Sequence, residues 1–176
     1  MILEALYFFL PAYISNLVPP LFGKLRYFNQ PIDFGRKWKG KRLFGDHKTI
    51  KGFLVACIFG TFAFHFQKIL YSQEFFKSVS LINYSQTSLL LGFLLAFGAI
   101  FGDLIKSFFK RRMGKKPGKP WIPFDQIDYI IGGLLFSSFI YSPELEIVIA
   151  IVILSVLLQL LFHYTGYLLG INKDKI

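Results

Sequence analysis

Five long apolar runs divide this sequence, at about residues 2–22, 53–71, 87–105, 127–142 and 145–169. A helix needs roughly 20 mostly apolar residues to cross a hydrocarbon core about 30 Å thick. All but the fourth run, which contains Gly132 and Gly133, reach that length. Of the 176 residues, 54% are hydrophobic and only 17% are charged. That composition leaves too few polar side chains to cover five core helices in water. We therefore predict an all-α, polytopic integral membrane protein with five transmembrane helices.

The basic residues concentrate in particular connectors. Nine of the 20 Lys and Arg residues lie between the first two runs, seven between the third and fourth, and two at the C-terminus. Because cytoplasmic loops are enriched in Lys and Arg, we predict cytoplasmic loops at about 23–52 and 106–126. The C-terminus is then cytoplasmic and the N-terminus outside. Residues 1–176 form a single domain in the cell membrane, and the basic charge implies no nucleic-acid partner.

The first predicted loop combines glycines with cations. Arg42, Lys48 and Lys51 supply positive charge, Thr49 supplies a hydroxyl group, and the glycines are Gly35, Gly40, Gly45 and Gly52. This mixture lets the backbone and the cations approach a polyphosphate closely. The spacing of a Walker A loop is absent. Alternatively, the cations only fix the orientation of the chain or attract anionic lipids.

Three aspartates frame the second predicted loop. Asp103 lies at the cytoplasmic end of the third run, while Asp125 and Asp128 begin the fourth and share a helical face. A carboxylate at the membrane edge is costly unless it is paired or functional. One or two carboxylates together with substrate phosphates are typical ligands of Mg²⁺. Lys110, Arg111 and Arg112 lie between these acids and are candidates for binding phosphate. The alternative is that the acids only neutralise nearby Lys and Arg.

Together the two loops predict a cytoplasm-facing, Mg²⁺-dependent site. Its substrate would carry phosphate and would reach the site from the membrane. The residues by themselves leave the identity of that substrate open.

Several motifs resemble a known family. The segment S-F-F-K-R-R at 107–112, followed by D-Q-I-D at 125–128, resembles the signature of the CTP:phosphatidate cytidylyltransferases. Gln126 replaces an Arg of that signature and an H-G-G is missing, and both departures are similar to the archaeal branch, the CDP-archaeol synthases. P-I-D-F-G-R at 31–36 and G-K-R-L-F-G-D-H-K-T-I-K-G at 40–52 resemble the first loop of that branch. The residues that resemble its first helix are Pro11, Asn16 and Pro19.

This resemblance implies a five-helix enzyme that transfers CMP from CTP to 2,3-bis-O-geranylgeranylglycerol 1-phosphate, giving CDP-archaeol and pyrophosphate. It implies that Asp103, Asp125 and Asp128 hold Mg²⁺, and that catalysis consists of positioning and charge neutralisation. The residues expected to bind CTP or the lipid phosphate are Arg42, Lys48, Thr49, Lys51, Ser107, Lys110 and Arg111. Asn16 either lines the polar cavity or forms a helix–helix hydrogen bond. The oligomeric state stays open.

Other functions are weighed against this one. A CTP-dependent polyprenol or phytol kinase would share the membrane and the nucleotide but would release CDP. A CDP-alcohol phosphotransferase is disfavoured, because the D-G-x-x-A-R start of its motif is absent. A non-enzymatic transporter or assembly subunit is disfavoured because the sequence has no two similar halves, which many transporters show.

Overall fold

The computed structural model describes residues 1–23, 25–115 and 121–168. The chain is mainly helical, as predicted. The helices are α1 (Ile2–Leu17), α2 (Ile50–Leu70), α3 (Glu74–Ser78), α4 (Leu89–Arg112), α5 (Phe124–Ser137) and α6 (Leu145–Leu168), with a 3₁₀ turn at Pro19–Phe22. The first loop also holds a hairpin of β1 (Lys37–Trp38) and β2 (Lys41–Arg42), which the sequence did not predict. The predicted cytoplasmic tail with Lys173 and Lys175, and the basic segment 116–120, lie outside the described residues.

Three segments of the described chain are long and apolar enough to span a membrane: Ile2–Phe22, Ile50–Leu70 and Leu89–Arg112. The α6 helix contributes a shorter apolar stretch, Leu145–Leu161, and α5 has only 14 residues. The chain is therefore a multi-pass membrane protein. The five-span arrangement stays a prediction.

The outer face of α2 is apolar. Ile58, Phe62 and Phe66 follow one another at four-residue intervals, and 61%, 54% and 48% of these residues are exposed. An exposed stripe of this kind is unfavourable in water but suits contact with lipid chains. This face of α2 is therefore suited to contact with lipid.

Glycines bring α4 and α5 unusually close together. A Cβ atom on Gly98 would lie 2.3 Å from the carbonyl oxygen of Gly132, and one on Gly102 would lie 2.2 Å from that of Asp128. Small residues allow such backbone contact between membrane helices. Since Gly102 directly precedes Asp103, this contact brings Asp103 close to Asp128.

The remaining core lies around α1. Phe8 and Phe9 of α1 are fully buried in one cluster with Phe64 of α2 and with Tyr84. Tyr13 of α1 also forms a 2.8 Å hydrogen bond with Ser155 of α6. These contacts fix α1 against α2 and α6.

Candidate active site

Asp33 organises the first loop from within. Its buried carboxylate accepts hydrogen bonds from the backbone N–H groups of Gly35, Phe44 and Gly45, and from the Arg42 guanidinium at 2.7 Å. Burial by itself would raise the pKa of Asp33, but the hydrogen bonds from Arg42 and the backbone lower that pKa to about 2. Asp33 is therefore ionised at neutral pH and fixes the path of the loop.

Arg112 fastens the first loop to the end of α4. Its guanidinium donates to the carbonyl oxygens of Lys41 and Arg42 at 3.0 and 2.5 Å. It also lies 5.8 Å from the ring centroid of Trp38 and 5.0 Å from that of Phe108. A tight turn at Lys39 and Gly40, with positive φ angles of 51° and 75°, joins the two strands of the hairpin. This turn leaves the carbonyl oxygens of Lys41 and Arg42 facing Arg112. The two predicted loops consequently meet.

A polar cavity of about 530 Å³ opens where α1, α2 and α4 converge. Its volume is within the range of small-molecule sites. The residues that line it are Asn16, Pro19, Pro20, Gly23, Asn29, Ile32, Asp46, His47, Lys48, Thr49, Lys51, Gly52, Phe53, Ile100, Asp103 and Leu104. Four of the predicted substrate-binding residues and one predicted metal ligand thus lie on its wall.

The start of α2 supplies three of these groups. Thr49 caps the helix, since its Oγ1 accepts a hydrogen bond from the Gly52 N–H at 3.1 Å. Lys48, directly before it, forms an ion pair with Asp103 across the cavity. Lys51 is buried and donates to the Leu25 carbonyl oxygen at 2.6 Å. Lys48 and Thr49 therefore face the cavity beside a helix N-terminus, which is a favourable place for an anion.

The three predicted metal ligands converge on one lysine. The Nζ atom of Lys106 lies 3.0 Å from an oxygen of Asp103, 3.0 Å from one of Asp125 and 2.6 Å from one of Asp128. Only 14% of the Lys106 side chain is exposed. The carboxylates belong to two helices, α4 and α5, that the glycine contact holds together.

Lys110 continues this cluster along α4. Its Nζ atom lies 3.0 and 3.1 Å from the two carboxylate oxygens of Asp125. Ser107 is buried on the same helix. The Nε atom of Arg111 is buried without a hydrogen-bond partner among the described residues. Lys110 is thus a second buried cation of the cluster, paired with Asp125.

The donor set of the cluster suits Mg²⁺, although a cation already occupies its centre. In the described part of the chain, no three acidic, His or Cys side chains are spaced to hold a metal ion directly. Three carboxylates nevertheless surround one ammonium group, and carboxylate oxygens are the ligands that Mg²⁺ prefers. The chemistry of the donor set therefore suits Mg²⁺, whereas in this arrangement the three carboxylates are paired with Lys106.

The structure brings most of the predicted site residues together. Arg42 is one exception, because it is bound to Asp33 and, at 2.5 Å, to Asp46 rather than facing the cavity. Ser107 and Arg111 also do not line the cavity, and among the described residues neither pairs with the aspartates. Asn16 lies on the cavity wall. Lys106 was missed, although its spacing from Asp103 and Lys110 places all three on one face of α4. That spacing was the signal that could have identified it.

These features define a class: a multi-pass membrane protein with paired aspartates and lysines beside a polar cavity at one end of its apolar helices. A family model described as CarS-like, CDP-archaeol synthase, matches residues 1–175. The chain belongs to this family, which confirms the resemblance seen in its motifs.

Individual relatives agree with this membership. A CDP-archaeol synthase of Methanococcoides burtonii is 38% identical over 178 residues, covering 94% of this chain and 98% of the relative. One of Pyrococcus furiosus is 40% identical over 154 residues, covering 86% and 85%. A solved structure of an intramembrane enzyme for archaeal membrane lipid biosynthesis is similar with a TM-score of 0.75 and 29% identity, covering 92% of this chain and 94% of that one.

Proposed function

We propose that this protein transfers CMP from CTP to 2,3-bis-O-geranylgeranylglycerol 1-phosphate, forming CDP-archaeol and pyrophosphate. The supporting observation is that a member of the CDP-archaeol synthase family places a polar cavity next to clustered aspartates and lysines. Transfer at phosphorus requires mainly positioning and charge neutralisation. This cluster supplies both.

The chain's own groups have separate tasks in this reaction. Lys48 and the N-terminus of α2 beside Thr49 bind the triphosphate, because both attract anions. Lys110 holds the lipid phosphate so that one of its oxygens attacks the α-phosphorus in line and pyrophosphate leaves. Mg²⁺ held by the three aspartates would neutralise charge on the triphosphate. Loss of Lys48 or Lys110 then raises the barrier by removing positive charge.

An apolar groove supports access from the membrane. It has a volume of about 280 Å³, lies between α1, α5 and α6, and shares Asn16 with the polar cavity. The residues that line it are Leu6, Leu10, Tyr13, Asn16, Leu17, Tyr129, Leu158 and Gln159. An isoprenoid chain in this groove would place its phosphate near the cavity.

The proposed enzyme has five spans in the cell membrane, an external N-terminus and a cytoplasmic active site, as the positive-inside rule predicts. Two exposed lysines test this arrangement in a Cys57→Ala background: Lys39→Cys in the first loop and Lys77→Cys in α3. When intact cells are treated with a membrane-impermeant maleimide, the Lys77→Cys variant should be labelled and the Lys39→Cys variant should not. Labelling of the Lys39→Cys variant instead would show that the protein has the opposite orientation.

The activity is tested with purified protein, Mg²⁺ and CTP labelled at the α-phosphorus. Label should pass into the geranylgeranyl ether lipid more readily than into diacyl phosphatidate, with release of pyrophosphate. Asp128→Asn should reduce turnover by about 10²-fold or more, whereas the exposed Glu146→Gln in α6 should not. If the α-label stays in CDP and a parallel reaction with CTP labelled at the γ-phosphorus transfers its label to the lipid, the enzyme is a kinase instead.

A further inference from the structure

Lys106 holds a position in the cluster that the proposed reaction does not explain. Its Nζ atom lies 2.6 to 3.0 Å from a carboxylate oxygen of each of the three aspartates, Asp103, Asp125 and Asp128. Without a cation at that point, three partly buried carboxylates would repel one another. Lys106 therefore keeps their oxygens directed at a common centre.

The described cluster is also balanced in charge. Each aspartate is within ion-pair distance of at least one of three lysines, Lys48, Lys106 and Lys110. Three negative charges thus face three positive charges. A divalent cation that enters alone must displace an ammonium group, which would then lose its carboxylate partners in a partly dehydrated site.

A nucleotide changes this balance. The triphosphate of CTP brings several negative charges and many oxygen acceptors, so a lysine that leaves the carboxylates finds new partners at once. The exchange is then favourable only when the metal and the triphosphate arrive together.

We propose that Lys106 is a positioning residue that occupies the metal centre before substrate arrives and moves onto the triphosphate when Mg²⁺ enters with CTP. This inference rests on the proposed function. It adds that the resident ammonium group disfavours metal binding without nucleotide and favours binding of the metal–nucleotide complex.

Two binding measurements on the full chain in detergent test the proposal, without lipid substrate so that no turnover occurs. The first is the affinity for Mn²⁺ alone, from the paramagnetic resonance signal of the free ion. The second is the affinity for CTP in the presence of Mn²⁺, from calorimetry. In Lys106→Met we expect Mn²⁺ alone to bind at least about tenfold more tightly and CTP at least about tenfold more weakly, because one close positive charge is removed from both processes.

The opposite signs separate this role from a purely structural one, since a damaged site would weaken both affinities. The exposed Lys77→Met in α3 is the matched control and should change neither. Lys106→Gln is the second variant, because its amide can still donate to the carboxylates if Lys106→Met does not fold. Unchanged or weaker binding of Mn²⁺ alone in a folded Lys106 variant would overturn the proposal. Turnover by the wild type tests the proposed function separately.

Discussion

Gly102→Ala tests whether the contact between α4 and α5 sets the spacing of the aspartates. The added methyl group would lie 2.2 Å from the Asp128 carbonyl oxygen and 3.3 Å from the Cα atom of Gly132. Favourable contacts between heavy atoms begin at about 3.5 Å, so the backbone of α5 must retreat by roughly 1 Å. Asp128 is the residue displaced, and a misplacement of about 1 Å in an active site costs on the order of 10²-fold in rate.

The assay is turnover of α-labelled CTP with the ether lipid phosphate at saturating concentrations. We expect kcat of Gly102→Ala to fall about 10²-fold, with helical content and elution volume in detergent unchanged. Ile105→Ala is the control, because Ile105 lies on the same helix with an exposed side chain. If folded Gly102→Ala turns over within twofold of the wild type, the contact does not govern the site.

Two further substitutions address the first loop. Asp33→Asn should lower the melting temperature above pH 4, because the folded-state pKa of about 2 lies below the ordinary 3.8 and the ionised form stabilises the fold. This stabilisation is lost as the pH falls through about 2, so melting curves of the two proteins from pH 7 to 3 should begin to converge at the acid end. Thr49→Val removes the cap of α2, which should cost about 1 kcal/mol and raise KM for CTP. Thr49→Ser keeps the hydroxyl group, so its melting temperature and its KM for CTP should both match those of the wild type. An unchanged KM for CTP in Thr49→Val would contradict the placement of CTP.

The sequence was sufficient to select the three aspartates of the site and most of its cations, but not Lys106. Asp103, Asp125 and Asp128 stood out because charges at the ends of apolar runs need a reason to be there. Their pairing could not be read from the sequence, because Lys48 meets Asp103 across 55 positions. Lys110 is a predicted phosphate ligand, but only the contacts of Lys106 with the aspartates distinguish it from the other basic residues of the second loop.

In the first loop, too, the sequence did not predict which charged groups pair with each other. Its glycines and cations predicted an anion site, yet Arg42 is engaged by Asp33 and Asp46. Arg112 is a candidate phosphate ligand from the sequence, yet its guanidinium fastens the hairpin to α4 instead. Short loops of mixed charge allow many pairings of similar local energy, and contacts with distant helices select among them.

The environment of the protein follows from its amino-acid sequence without any knowledge of the fold. Long apolar runs and uneven basic charge specify a membrane location and two charged loops, because the transfer of side chains between water and lipid depends mainly on composition. Which charges meet depends instead on how the helices pack. Gly98, Gly102 and Gly132 let α4 and α5 approach closely, and only at that distance do carboxylates from two helices share one ammonium group, since ion pairing requires separations of a few ångströms.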